Sequence, residues 1–395
     1  MLASLRARTS AIDPALGLLA FIGFIAQVGI SVMLPLLPLF ATELGARPFE
    51  LGLLTSIFAI TNGLGQLGAG FLTDRYGARR LISGGLALYS FMNALIATAA
   101  NAAWLLTWRA LSGFGGGALL VSERVYIVEV TRPERRAFAN GIVSAAASAG
   151  TVTGPAFGGL IAAIGGLRAP FVVVATTSAI AFVASLALRR RRVASKNVDG
   201  SAVVDDLGRT NRGALVALLM ANLAMMAGFG AFITTYAPFA TQRLAWTTVD
   251  VGLAFSFLGG GSILLGPALA HLADRTSRRA VAMAAPLPVA LFGIVLVLGA
   301  ERPVVWAIAF IAGGGLTAYN AAWYALLADA SETRRRGRIF GIVSAMSNAG
   351  IVLGASGAAQ LWERVDLSAG VASASVVTML ALVPLALLRL GPPRP

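Results

Sequence analysis

The sequence predicts an all-α integral membrane protein, with twelve transmembrane helices in two pseudo-symmetric six-helix bundles. Three observations predict it. Hydrophobic residues make up 57% of the chain and charged residues 12%, about half the charge of a soluble domain. The apolar residues gather into twelve runs, at 16–40, 51–72, 80–100, 104–128, 139–163, 170–188, 213–238, 251–272, 280–300, 303–328, 339–361 and 367–388. Each run is close to the roughly 20 residues that cross the hydrocarbon layer. Finally, residues 70–80 (GFLTDRYGARR) return 200 positions later at 270–279 (AHLADRTSRR), where Leu72, Asp74, Arg75 and Arg79 are matched by Leu272, Asp274, Arg275 and Arg279. Segments 141–160 and 341–360 share nine of twenty residues at the same offset. One six-helix unit occurs twice.

The net charge of +14 does not indicate nucleic acid, because no recognition motif or aromatic platform accompanies it. The charge is sorted by side. Of 31 Lys and Arg residues, 24 fall in the two tails and five alternate loops. Five lie in the opposite loops (Arg47, Arg168, Arg243, Arg302, Arg364), and Arg109 and Arg124 lie within a span. By the positive-inside rule both termini are cytosolic, in a plasma (inner) membrane, with the basic surface toward anionic inner-leaflet lipid. The chain has no cysteine, which excludes disulfides and thiolate metal sites. His271 is the lone histidine and cannot build a metal site by itself. It reads as an interfacial residue or, alternatively, a pH sensor. No cofactor is expected, and no nucleophile–base pair or phosphate loop suggests an enzyme.

Taken in order, span 1 carries Pro35 and Pro38 near its outer end, where proline bends a helix or forms a hinge. The run is too long for a signal-peptide core. In span 2, Asn62 and Gln66 are four residues apart and share a helical face; they line a pore or bond a neighbouring helix. Span 4 contains Arg109, Glu123 and Arg124. Intramembrane ions face an interior or a wet cavity. Arg109 and Glu123 are 14 residues apart, nearly one face but about 21 Å along the axis, so each addresses a different part of one central cavity. In span 5, Gly150, Gly154 and Gly158 recur every four residues beside Pro155 and Gly159 and make a flat packing seam. The only long polar stretch, 189–212, reads as a flexible linker between bundles at 1–188 and 213–395. Met220, Met225, Met226, Phe229 and Phe232 give span 7 an adaptable apolar surface, for packing or for a pocket. Pocket candidates are Gln27, Asn62, Gln66, Met225, Phe229 and Asn320.

These residues resemble the major facilitator superfamily and, within it, the twelve-span drug/proton antiporters, over nearly the whole chain. The loop motif G-x-L-a-D-r-x-G-r-k matches at Gly70, Leu72, Asp74, Arg75, Gly77 and Arg79, with Ala78 in place of a basic residue. The fourth-span motif matches at Arg109, Gly113 and Gly115, with Ser112 where glutamine is usual. The antiporter motif g-x-x-x-G-P-x-x-G-G matches at Gly150, Gly154, Pro155, Gly158 and Gly159. Span 1 lacks the carboxylate that several such exporters carry; its strongly polar side chain is Gln27.

The resemblance implies alternating access of two bundles about a midplane site, with protons and a small-molecule substrate as partners and a monomer as the unit. Gating falls to Gly70, Asp74, Arg75, Gly77, Arg79 and Glu129, and to their copies Asp274, Arg275, Arg279 and Asp329, through charge-assisted bonds or simple anchoring of helix ends. Arg109, Glu123 and Pro155 have Ala309, Trp323 and Ala355 as repeat partners. Unshared residues suit coupling, which needs only one site. Burial favours a neutral carboxyl, so Glu123 exchanges a proton between states or else pairs with an arginine in the vestibule. The leading expectation is proton-coupled efflux of amphipathic molecules. A proton-linked or passive importer of a sugar or organic acid, and a transport-silent sensor, are the alternatives.

Overall fold

The computed structural model describes residues 14–131, 135–189, 212–330 and 336–388. The tails, loop residues 132–134 and 331–335, the body of the linker at 190–211, and the side chains of Asp274 and of residues 137, 336–338 and 340 lie outside the described residues. Sixteen helices account for nearly all of the rest. In the first half they are α1 (Pro14–Met33), α2 (Leu37–Glu43), α3 (Pro48–Tyr76), α4 (Ala78–Ala97), α5 (Ala102–Val130), α6 (Arg136–Gly165) and α7 (Ala169–Ser185). The second half has α8 (Arg212–Leu244), α9 (Thr248–Leu264), α10 (Gly266–Arg275), α11 (Arg278–Ala284), α12 (Pro286–Val297), α13 (Arg302–Ala330), α14 (Arg336–Arg364), α15 (Leu367–Leu380) and α16 (Leu382–Ala386).

Sixteen helices make twelve spans because proline breaks four of them. The ring removes a helical N–H and crowds the preceding turn. Span 1 divides into α1 and α2 around Pro35, span 8 bends by 44° between α9 and α10, and spans 9 and 12 break at Ala285 and Ala381. Among the described residues, nine helices are long and apolar enough to cross a membrane, ten with the bent pair counted as one. The other two spans are α7, which has 17 residues, and α5, whose charges and glycines dilute its apolar content.

The repeat is visible in packing. Span 1 lies along span 5 as span 7 lies along span 11, and span 2 packs on span 4 as span 8 packs on span 10. Spans 2 and 8 open with a carboxylate that reaches back to the N-cap N–H, and in span 8 the Thr247 hydroxyl also accepts from the Asp250 N–H at 3.2 Å, completing a capping box. The Arg47 N–H donates to Glu50 at 2.7 Å, and the Thr247 N–H donates to Asp250 at 2.9 Å. Each satisfies orphan donors of a helix start.

The halves meet along two seams, α3 against α14 and α6 against α9. Ser56 Oγ lies 3.0 Å from Ser356 Oγ and donates to the Val352 carbonyl at 3.3 Å. Its repeat partner Ser256 accepts from the Ala156 N–H at 3.0 Å, beside Pro155. Thr234 donates to Thr55 at 3.2 Å. Among the described residues, the cross-seam bond nearest the arginine-rich end is Ser344 to Gln66, 2.7 Å. Toward the other end, Leu36, Leu39 and Ala162 share one buried cluster with Tyr236, Phe239 and Trp246. The cleft is therefore sealed at the end away from the basic loops. A hydrogen bond contributes about 1 kcal/mol net, so Ser56→Ala with Ser256→Ala should populate an opened seal about thirtyfold more. Labelling of a single cysteine at buried Leu39 would read this.

Candidate functional site

A cavity of about 180 Å³ lies between the halves, beneath the seal. Leu51, Thr55, Phe58, Asn62 and Arg109 line it from the first half, and Phe229, Ile233, Asn348 and Ile351 from the second. Apart from Arg109 its wall carries no charge. The glycines of α5 let that helix sit against α3: a Cβ at Gly113 or Gly117 would collide with Thr61 or the Asn62 backbone. That close approach brings Arg109 under Phe58.

Arg109 is 4% exposed. Its guanidinium lies 3.8 Å from the Phe58 ring centroid, a cation–π contact, and Nη1 is 3.8 Å from Met33 Sδ. The Tyr89 hydroxyl is its electrostatic neighbour, and Nε has no hydrogen-bond partner. Asn62 and Gln66 take both of their sequence-level options. Gln66 donates to Asn62 at 2.7 Å while accepting from Ser344 of the other half, and Asn62 also lines the cavity.

Phe229 also borders a second cavity of about 50 Å³ inside the second half, with Met225, Phe232, Phe255 and Phe292 around it. Phe232 holds its ring 5.7 Å from Phe255 and 5.2 Å from Phe292. Gln27 and Asn320 are half-buried and line neither cavity; Gln27 donates to Ser31 at 3.4 Å.

Glu123 does not reach the Arg109 cavity. Its Oε1 is buried without a hydrogen-bond partner, 3.3 Å from where a Cβ on Gly23 of α1 would stand. Arg124 is exposed. The repeat partner Trp323 fills the matching place with a neutral donor, its Nε1 bonded to the Leu218 carbonyl at 2.8 Å.

At the arginine-rich end the loop motif is arranged within each half rather than across the cleft. Asp74 is exposed and forms no ion pair among the described residues. Arg75 lies 5.4 Å from the Tyr76 ring. Arg79 donates to the Leu186 carbonyl at the end of span 6, and Arg279 donates to Leu385 and Ala386 at the end of span 12. Asp329 pairs with Arg278 at 2.7 Å, rather than with Arg275 or Arg279. Glu129 accepts from the Ala78 backbone. His271 is exposed.

Sequence reasoning missed Gly52, Ser56, Gly252, Ser256 and Arg278. The first four are two repeat pairs at the 200-residue offset, and comparison along spans 2 and 8 would have exposed them. The antiporter-motif residues divide by role. Gly150, Gly154 and Gly158 press on the α1 backbone, whereas Pro155 and Gly159 face Gly252 and Thr248 of the other half.

Known proteins show the same architecture. A solved bacterial homolog of the human lysosomal transporter Spinster, described as inward-facing and unoccupied, superposes with TM-score 0.72 at 17% identity over 95% of this chain and 94% of that one. The nucleoside transporter NupG, solved as a single-substitution mutant, gives 0.76 at 12% identity over 95% and 98%. In sequence, Multidrug resistance protein 2 of Bacillus subtilis (strain 168) is 27% identical over 235 residues, 58% of either chain. Quinolone resistance protein NorA of Staphylococcus aureus (strain MSSA476) is 26% identical over 239 residues, 60% of this chain and 61% of that one. These matches span about three-fifths of the relatives' length. The Major Facilitator Superfamily profile matches residues 19–236 and 218–395, nearly the whole sequence, and with the doubled six-helix fold this means that the chain belongs to the Major Facilitator Superfamily.

Proposed function

We propose that this protein is a secondary exporter that exchanges protons for an amphipathic small molecule by alternating access, acting as a monomer. The carrying observation is the cavity between the halves, apolar except for Arg109 and sealed at one end. Alternating access needs such a chamber between two bodies that rock. With the basic loops and both termini in the cytosol of a bacterial-type plasma membrane, the seal faces outward and the structure faces inward. Residues 1–188 and 213–395 are then the moving halves, and 189–212 their cytosolic link. Export as the direction is supported by the drug-resistance names of the relatives.

Proton coupling is assigned to Glu123. One oxygen of its carboxylate is buried without a hydrogen-bond partner; negative charge there is unfavourable, and taking up a proton removes it. Gly23 leaves room for α1 to approach it, so a rocking motion changes how well the carboxyl is solvated. In the outward-facing state, Asp74, Arg75 and Glu129 come within reach of the opposite half and serve as the inner gate. Glu123→Gln should bring pH-gradient-driven flux in proteoliposomes to background, with folding intact and substrate counterflow preserved. Unchanged proton-driven flux would remove Glu123 from the mechanism.

A further inference from the structure

We propose that the inter-half cavity is built for an amphipathic organic anion, its acidic head on Arg109 and its apolar body along Phe229 toward the second half. This rests on the transport reading above and narrows its substrate class.

The first argument is charge. Arg109 is almost fully buried, yet no carboxylate pairs with it among the described residues. Buried charges are normally paired. Its present neighbours are a thioether, the face of Phe58 and the neutral Tyr89 hydroxyl. A thioether is a weak acceptor, and a guanidinium offers five donors. The missing counter-ion belongs where Arg109 borders open space, which is the cavity. A carboxylate or sulfonate fits that need, because the guanidinium fork binds such groups through two parallel hydrogen bonds.

The second argument is the absence of an acid. No Asp or Glu lines the cavity, α1 contains none, and Glu123 lies against Gly23 instead. A lipophilic cation entering here would meet Arg109 with no compensating carboxylate, and like charges repel strongly in a low dielectric. The third argument is shape. Phe229 lines both cavities, so the apolar wall of the Arg109 chamber backs directly onto the aromatic pocket of the second half. Asn62, Thr55 and Asn348 supply neutral polar groups around the head.

The test uses a matched pair of probes, 2-naphthalenesulfonate and N,N,N-trimethyl-2-naphthylammonium, measured by equilibrium dialysis against the purified full chain. The wild type should bind the sulfonate about tenfold more tightly than the ammonium, Arg109→Lys should keep that order, and Arg109→Gln should abolish it. Phe229→Ala should weaken both probes without reversing their order. Equal or tighter binding of the ammonium by the wild type overturns the proposal, and so does an undiminished sulfonate preference in a monodisperse Arg109→Gln protein. The wild-type comparison decides alone if that variant does not fold.

The same pair, offered to proteoliposomes under a pH gradient, separates this inference from the one beneath it. Transport of the ammonium but not the sulfonate sinks the anion assignment and leaves proton-driven export standing. Arg109-dependent sulfonate binding without proton-driven flux supports the assignment and sinks the coupling.

Discussion

Gly159→Leu should leave the protein folded and hold the sealed end of the cleft open. Gly159 lies on the face of α6 that meets α9. A Cβ there would collide with the Thr248 carbonyl oxygen and come within 3.0 Å of the Thr248 carbonyl carbon and Val249 Cα. These are main-chain atoms of the other half and cannot swing aside. Overpacking a tight contact is destabilising by about 1–3 kcal/mol. Here the two surfaces belong to bodies that separate in the transport cycle, so moving the halves relieves the strain without unfolding either. Each 1.4 kcal/mol or so changes the ratio of states about tenfold, enough to invert a modest preference. The hydrogen bond from Thr248 to the Gly159 carbonyl, 3.0 Å, would be lost as well. The chain has no cysteine, so spin labels at Ile164 and Gln242 report the opening directly. The expected result is a longer inter-label distance with thermal stability nearly unchanged. An unchanged distance with a lowered melting temperature would show that this contact serves folding.

The neighbouring substitution, Gly158→Leu, should do the opposite. Gly158 faces α1, where a Cβ would collide with the Val32 carbonyl oxygen and approach the Val32 carbonyl carbon at 3.0 Å. Both helices belong to the first half, and no rigid-body motion parts them. The strain stays inside one bundle and adds to that of displacing α1 from the rest of the seam. About 3 kcal/mol would lower the melting temperature by roughly 10 °C. Val32→Ala should not rescue the variant, because the obstructing atoms are backbone. Rescue by that change, or a melting temperature equal to wild type, would contradict the packing. The pair is informative because two adjacent glycines of one motif differ by only one residue's rotation about α6.

The fold was legible in the sequence because lipid imposes a simple rule. A backbone that cannot bond to water must be helical across the hydrocarbon, so long apolar runs identify spans with little ambiguity. The breaks were less legible: helices divide at Pro35, Pro267, Pro286 and Pro384, but Pro155 and Pro238 lie inside continuous helices. The site was only partly legible. Arg109 declared itself as a charge in an apolar run, and it does line the cavity. Glu123 declared itself in the same way, but helical spacing alone could not distinguish the cavity from the α1 seam. Small rotations and tilts decide that, and only the packed neighbours fix them. The repeat pairs Ser56 with Ser256 but does not reveal their role, because a serine in a helix bonds its own preceding turn as readily as a partner. The loop motif marked residues that lie at helix ends. Which of three successive arginines meets Asp329 depends on the cap at Ser277, whose hydroxyl accepts from the Ala280 N–H.

The arginines that clasp the ends of spans 6 and 12 have a consequence for the surrounding bilayer. Helix α7 has 17 residues, and the apolar turn at 186–188, held by hydrogen bonds to Val183, Ala184 and Ser185, brings span 6 to about the thickness of a typical hydrocarbon core. Its outer face, with Ile180 and Val183, is exposed and apolar. By holding the Leu186 carbonyl, Arg79 fixes where this span stops and keeps it from being drawn longer. A bilayer of another thickness is therefore met at this edge by the lipid, whose chains stretch or thin at a fraction of a kcal/mol per Å.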